Sequence, residues 1–199
     1  MCDAESAYGR DMALADGSYP LGPDRGRLLL HTRREGMAAR AGHDLTIEVT
    51  DWDGHAVVDA ADWSRCSVEI TVRADSLQIL AGHGGVKPLT DGDRREIRKT
   101  IAEKVLHTHR HPTISFGSSE VSGAGEQFVI AGQLTVCGQT HPLSVEGRIV
   151  DDQVGPRATG EATVRQTEWG VAPYKGFLGA LKVADDVTVS FDVRLGDSR

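Results

Sequence analysis

The sequence predicts an all-β fold: a single antiparallel eight-stranded barrel with one amphipathic helix. Three observations lead there. Apolar residues recur at every second position in segment after segment, the pattern of strands with one dry and one wet face. The links between these segments are short, as in a meander, and one stretch alone carries a helical stripe. The chain has 199 residues, the length of one domain able to bury a sizeable core or enclose a cavity.

Residues 1–18 mix small, acidic and polar residues without periodicity and read as a flexible tail, so the domain is expected over 19–196. Leu28 and Leu30 open the alternation. Leu45, Ile47 and Val49 then alternate with Thr46, Glu48 and Thr50, followed by Val57 or Val58. Cys66, Val68, Ile70 and Val72 follow, then Ile114 and Phe116, then Phe128, Ile130, Leu134 and Val136. Leu143, Val145 and Ile149, the stretch Ala158 to Val164, and Val187, Val189, Phe191, Val193 and Leu195 complete eight or nine strands. Closing them into a barrel removes exposed edges. The helix is TDGDRREIRKTIAEKVL: Thr90 and Asp93 make a capping box, and Ile97, Ile101 and Val105 form its stripe. It is expected to lie across the barrel or plug one end, its charged remainder facing solvent.

The formal charge is −7 with no local Lys/Arg cluster, which gives no footprint for nucleic acid or for an anionic membrane surface. No run of about 18 apolar residues is present, so stable membrane insertion is not expected. Cys2, Cys66 and Cys137 are odd in number and widely spaced, which suits free thiols in a reducing compartment. With an N-terminal stretch lacking an apolar core, they lead us to expect a cytoplasmic protein, Cys2 being an incidental thiol.

Enzyme signatures are absent: there is no GxGxxG opening a helix, no GxxxxGK[ST], no GxSxG and no HExxH. Cys66 and Cys137 fall within alternating strands, where cysteine is a small hydrophobe. No catalytic residue and no cofactor is expected. The segment HTHRHPTISF raises a metal alternative, because His107, His109 and His111 share one face if the chain there is extended. Against it, Pro112 forces the chain out of helical geometry and places the histidines at a helix exit, where a cation suits the helix dipole. A metal-dependent enzyme or metal sensor is therefore the second reading. A filled barrel acting through protein partners is the third.

Two features point to a container. Gly132, Gly147, Ala158, Gly160 and Ala162 lie on inward faces, and three Trp, three Tyr and four Phe are few to fill the middle. Small inward residues mean either a tight barrel or a cavity, with glycines at bends as the simpler account. The segment WGVAPYKGFLGALKVADD carries Trp169, Tyr174, Phe177, Leu178 and Leu181 between two strands, a candidate flap or plug. The candidate wall is Ile70, Val72, Phe116, Ile130, Leu134, Val145 and Phe191, with Trp169, Tyr174 and Phe177 as the flap. His43, Arg40 and Lys175 are candidate head-group partners, although His43 beside Asp44 also suits local backbone bonding, and Lys175 with Asp185 and Asp186 suits a turn.

HPTISF (111–116), GQLTVCGQTHPLSV (Gly132 to Val145), RQTEWGV (Arg165 to Val171) and DDVTVSFDV (185–193) resemble, in order and spacing, the YceI-like family of lipocalin-like, polyisoprenoid-binding proteins. The likeness runs from about Tyr19 to Leu195. It implies an eight-stranded lipocalin-like barrel whose apolar tunnel holds a long-chain amphiphile such as a polyprenyl phosphate, a quinone or a fatty amide, without catalysis. Members often carry export signals; the acidic, polar first residues lead us to expect none here. The chain also departs at the helix end, where AEKVLHTHRH replaces an aromatic stretch. Gly138 is expected to be a hairpin glycine with positive φ, and Pro142 to limit pairing at a strand start. The expected partner is an isoprenoid or other lipid. A homodimer suits a small sheet-rich protein, though no exposed apolar stripe in the sequence demands one.

Overall fold

A computed structural model describes residues 14–152 and 155–196. Eleven strands form one antiparallel sheet: β1 (Gly17–Leu21), β2 (Gly26–Thr32), β4 (Asp44–Val49), β5 (Trp52–Val58), β6 (Ser67–Arg73), β7 (Leu77–His83), β8 (Thr113–Ala124), β9 (Gln127–Val136), β10 (Gln139–Asp152), β11 (Gly155–Arg165) and β14 (Asp186–Arg194). Their order is β1-β5-β6-β8-β9-β10-β11-β14-β2-β4-β7. Three short strands, β3 (Arg34–Glu35), β12 (Lys175–Gly176) and β13 (Leu181–Val183), make a separate small sheet ordered β12-β13-β3.

The all-β class with one helix is as expected; the count of eight strands is not. Each stretch expected to be a strand is one, and β1 and β7, which the alternation did not mark, are the edges of the sheet. Edge strands tolerate what central strands do not. β1 carries Pro20, which has no N–H to give to a second neighbour. β7 carries a bulge: Ala81 faces Thr46 and Ile79 faces Ile47, leaving Leu80 without a partner and breaking the period.

The sheet curls on itself, but among the described residues no ladder joins β1 to β7, so the expected closure is incomplete. Two other devices hold the seam. The β4–β5 and β6–β7 turns are tied together, with Thr50 N donating to Ser76 O at 3.2 Å and Arg73 N to Asp51 O at 3.0 Å. Helix α1 (Asp91–Thr100) packs along β7, and Arg94 Nη1 donates to the carbonyls of Ile79 and Leu80 at 2.7 and 2.9 Å. A guanidinium thus satisfies the acceptors that a twelfth strand would have taken.

The capping box is present: Asp93 N donates to Thr90 Oγ1 at 3.2 Å and Thr90 N to Asp93 Oδ2 at 2.8 Å. The Thr90 N–H and the Thr90 hydroxyl, which donates to the same Oδ2 at 2.7 Å, hold the Asp93 carboxyl below the usual carboxylate range. The helix continues as a single π turn over Ile101–Val105, where Leu106 N reaches Ile101 O at 2.8 Å. Ile97, Ile101 and Leu106 pack on the interior.

His107 ends the helix with φ 48, and Arg110 N and His111 N both return to its carbonyl. The three histidines therefore lie on a turn and not on an extended segment, because strand β8 starts only at Thr113. The shared face on which the metal reading depended does not form. Cys137 is a second difference: it sits at φ 50 beside Gly138 at φ 77, making the two-residue β9–β10 hairpin, and not inside a strand. Its thiol donates to Leu106 O at 3.3 Å, and burial pushes its pKa up. Strand β1 begins at Gly17, and Leu14 already packs against the interior; residues 1–13 lie outside the described residues.

Candidate functional site

The inner face of the sheet encloses a cavity of about 1050 Å³, at the upper end of the range of about 300–1,000 Å³ typical of small-molecule sites. Its wall is built by the inward positions of the alternating strands: Val68, Ile70 and Val72 from β6, Ile130 and Leu134 from β9, Val145 and Ile149 from β10, Val189 and Phe191 from β14. Leu28, Leu30, Ile47 and Val49 complete it opposite. All of these side chains are apolar.

What keeps the interior open is a pairing of rings with glycines. Gly147 lies directly across from Phe128 in the β9–β10 ladder, and Gly160 directly across from Phe191 in the β11–β14 ladder. A Cβ on Gly132 would stand 2.5 Å from Phe116 Cζ, and one on Gly160 would stand 2.7 Å from Phe191 Cζ. Each ring reaches over a glycine on the neighbouring strand and takes the space that a side chain there would fill. The inward glycines are thus seats for the wall's own aromatics.

One end is filled by Trp63 stacked on Phe128, ring centroids 6.4 Å apart, among Val121, Ile149, Val193 and Leu195. At the other, the 3-10 turn Gln166–Trp169 brings Trp169 inward, 1% exposed, with Nε1 donating to Leu134 O at 2.8 Å. The His141 ring packs against it in a T-shaped pair, ring centroids 5.5 Å apart. Trp169 lines the cavity as a fixed plug, which corrects its expected place in a flap: its indole N–H has a buried partner, and Val136 and Val171 pack around it. Asp185 holds the same turn by accepting from Thr167 N at 2.9 Å, and Asp186 pairs with Arg165 at 3.1 Å. Neither is turned toward a head group.

The mouth lies beside Trp169, where the small sheet, the 3-10 turn Ala39–Ala41 and the segment before α1 meet. Arg34, His43, Lys87, Asp93, Glu96, Lys182 and Tyr174 line it. His43 Nε2 is 2.8 Å from Lys87 O, so this ring bonds a backbone carbonyl. Arg34 pairs with Asp44 and donates to Gly42 O at 2.7 Å. Arg40 and Lys175 are exposed and do not reach the lining; Arg34, Lys87 and Lys182 hold those positions instead. The side chain of Phe177 lies outside the described residues.

Of the expected wall, Ile70, Val72, Phe116, Ile130, Leu134, Val145 and Phe191 all line the cavity, as do Trp169, Tyr174 and His43. Trp52 was not anticipated. It is buried and lines the cavity, and its Nε1, like Thr32 Oγ1 on the same lining, is a buried polar atom without a protein partner among the described residues. The alternation Trp52, Gly54, Ala56, Val58 carried the signal, with Gly54 hiding it. Among the described residues no group of three His, Cys, Asp or Glu side chains is placed to hold a metal.

Comparison with known proteins agrees with this architecture. The chain is 28% identical over 127 residues to a UPF0312 protein of Pseudomonas aeruginosa, and 27% identical over 127 residues to one of Pectobacterium carotovorum. Each match takes in 61% of this chain and 60% of the relative's length. Among solved structures, Burkholderia cenocepacia BcnA superposes with a TM-score of 0.65 at 16% identity, covering 84% of this chain and 94% of that one. A polyisoprenoid binding domain from Saccharophagus degradans, implicated in plant cell wall breakdown, superposes with a TM-score of 0.53 at 8% identity, covering 90% and 97%. At these identities the structural matches speak to the fold. The model of the YceI-like domain matches residues 30–195, the whole of the curled sheet from within β2 onward. The protein belongs to the YceI-like family.

Proposed function

We propose that the protein is a non-catalytic carrier that holds one long-chain apolar amphiphile, of polyisoprenoid, quinone or fatty-acyl type, inside the curled sheet. The observation that carries this reading is the cavity itself: about 1050 Å³, walled by aliphatic side chains and by rings seated against glycines. Such a wall stabilises a chain by removing its surface from water, at about 25 cal/mol per Å². It recognises length and apolarity, while polar atoms set orientation. Arg34, Lys87 and Lys182 offer cations at the mouth for a polar head group. The likeness to a polyisoprenoid binding domain supports the same ligand class. A cytoplasmic location is part of this proposal, supported by the free thiols of Cys66 and Cys137.

The test is mass spectrometry of an organic extract of the purified protein, with titration of a fluorescent long-chain probe. A reproducible prenyl or acyl species in near-stoichiometric amount, with probe binding weakened about tenfold or more by Val145→Trp, is the expected result. An empty extract combined with no probe uptake overturns the proposal.

A further inference from the structure

Exposed apolar side chains are concentrated at the mouth. Among the described residues, the large hydrophobics more than four-fifths exposed are Met37 at 97%, Val86 at 84% and Leu178 at 110%. Each sits on a different segment: 36–42, 84–89 and 174–182. These segments are packed on one another. Ala38 N donates to Ala180 O at 2.9 Å, a Cβ on Gly42 would meet Leu181, and His43 Nε2 lies 2.8 Å from Lys87 O. Tyr174, also exposed, lies on the third segment and lines the cavity as Val86 does. Leu178 adopts a left-handed backbone, φ 55, which a glycine would hold with less strain. Nothing in the fold requires a leucine there.

The charge of the same segments is one-sided. Residues 36–42, 84–89 and 174–182 carry Arg40, Lys87, Lys175 and Lys182 and contain no Asp or Glu, in a chain whose net charge is −7; Asp93 and Glu96 of α1 share the mouth, and Glu35 lies across from Lys182, so with Arg34 the cations there number five against three acids. None of Arg40, Lys87, Lys175 and Lys182 is in an ion pair among the described residues. In sequence they are scattered and form no cluster; the fold gathers them around the opening of an apolar cavity. Exposed apolar tips within a rim where cations outnumber acids, on an otherwise acidic molecule, are complementary to one kind of surface, a bilayer containing anionic lipid. The acidic remainder is repelled, which orients the mouth toward the membrane.

We propose that the rim formed by Met37, Val86 and Leu178, with Arg40, Lys87, Lys175 and Lys182, docks the cavity mouth onto anionic membrane surfaces. Docking goes beyond the carrier reading: it assigns where the ligand is exchanged, and it is measured without any ligand.

Cosedimentation with phosphatidylcholine vesicles, with and without phosphatidylglycerol, tests it. The protein is expected to partition onto the anionic vesicles and to be released as salt rises. Met37→Asp with Leu178→Asp should lower that partitioning about tenfold or more, and Arg40→Glu with Lys175→Glu should abolish the preference for phosphatidylglycerol. Unchanged thermal melting shows that these exposed sites leave the fold intact. Absence of vesicle binding by the parent protein, or equal binding by the Met37→Asp/Leu178→Asp variant, overturns the proposal. So does a dimer in light scattering that Leu178→Asp converts to monomer, which assigns the patch to a second copy. Uptake of the apolar probe from solution is scored separately: no uptake by the parent protein counts against the carrier, whereas no vesicle binding by a parent that does take up the probe counts against docking alone.

Discussion

The Phe191 ring lies over Gly160 of the neighbouring strand, close enough that a single methyl on the glycine would stand 2.7 Å from the ring's Cζ. The same Cβ would also crowd the carbonyl of Glu146 on the other side. Gly160→Ala is therefore expected to destabilise the protein by about 1–3 kcal/mol, as overpacking does. Urea denaturation of Gly160→Ala in the parent and in a Phe191→Ala background separates the two neighbours. A coupling of about 0.5–3 kcal/mol assigns the penalty to the ring. A coupling near zero assigns it to the Glu146 backbone and refutes the seat.

Trp169 joins the 3-10 turn to the middle of the sheet through its bond to Leu134 O. Trp169→Phe keeps most of the packing but leaves that carbonyl without its donor, and should cost about 1–3 kcal/mol. Trp169→Ala also opens a cavity and should cost about 3–5 kcal/mol. If Trp169→Phe melts with the parent, the indole acts by packing alone.

Arg94 stands in for a missing strand at the β7 edge. Arg94→Met should cost about 1.5–3 kcal/mol, the value of a hydrogen bond to a charged group. Hydrogen exchange should quicken in α1 and in the seam-facing residues of β7, while the centre of the sheet, β9 and β10, keeps its protection. Uniform acceleration across the sheet would show that the seam is not a separate unit.

Asp93 closes the capping box, and its folded carboxyl titrates below the ordinary value of 3.8. A depressed folded pKa contributes stability above the unfolded value and loses it as pH falls through the folded one. Asp93→Ala should therefore melt below the parent at neutral pH, and the gap should narrow as pH drops below the carboxylate range. A gap independent of pH would assign the effect to helix propensity and not to the charged cap. Thermal melting across pH makes the measurement.

Sequence alone determined the all-β class, the helix with its Thr90–Asp93 cap, the hairpin at Gly138 and the alternation that sets one face of each cleanly patterned strand apart from the other. These are local properties: a two-residue period places Ile130, Leu134, Val145 and Phe191 on one face wherever their strands end up. Tertiary structure decided everything that depends on which strands become neighbours. It made β1 and β7 edges, where a proline and a bulge at Leu80 erase the period. It turned inward glycines from bends into seats, because only a register pairs Gly147 with Phe128. It carried Trp169 from an expected flap into a plug, and set the histidines of 107–111 on a turn. It also brought Arg40, Lys87, Lys175 and Lys182 from three distant segments to one rim. Such long-range neighbours leave no local trace, since nothing in the sequence around any one of these residues encodes the side chains that fold against it.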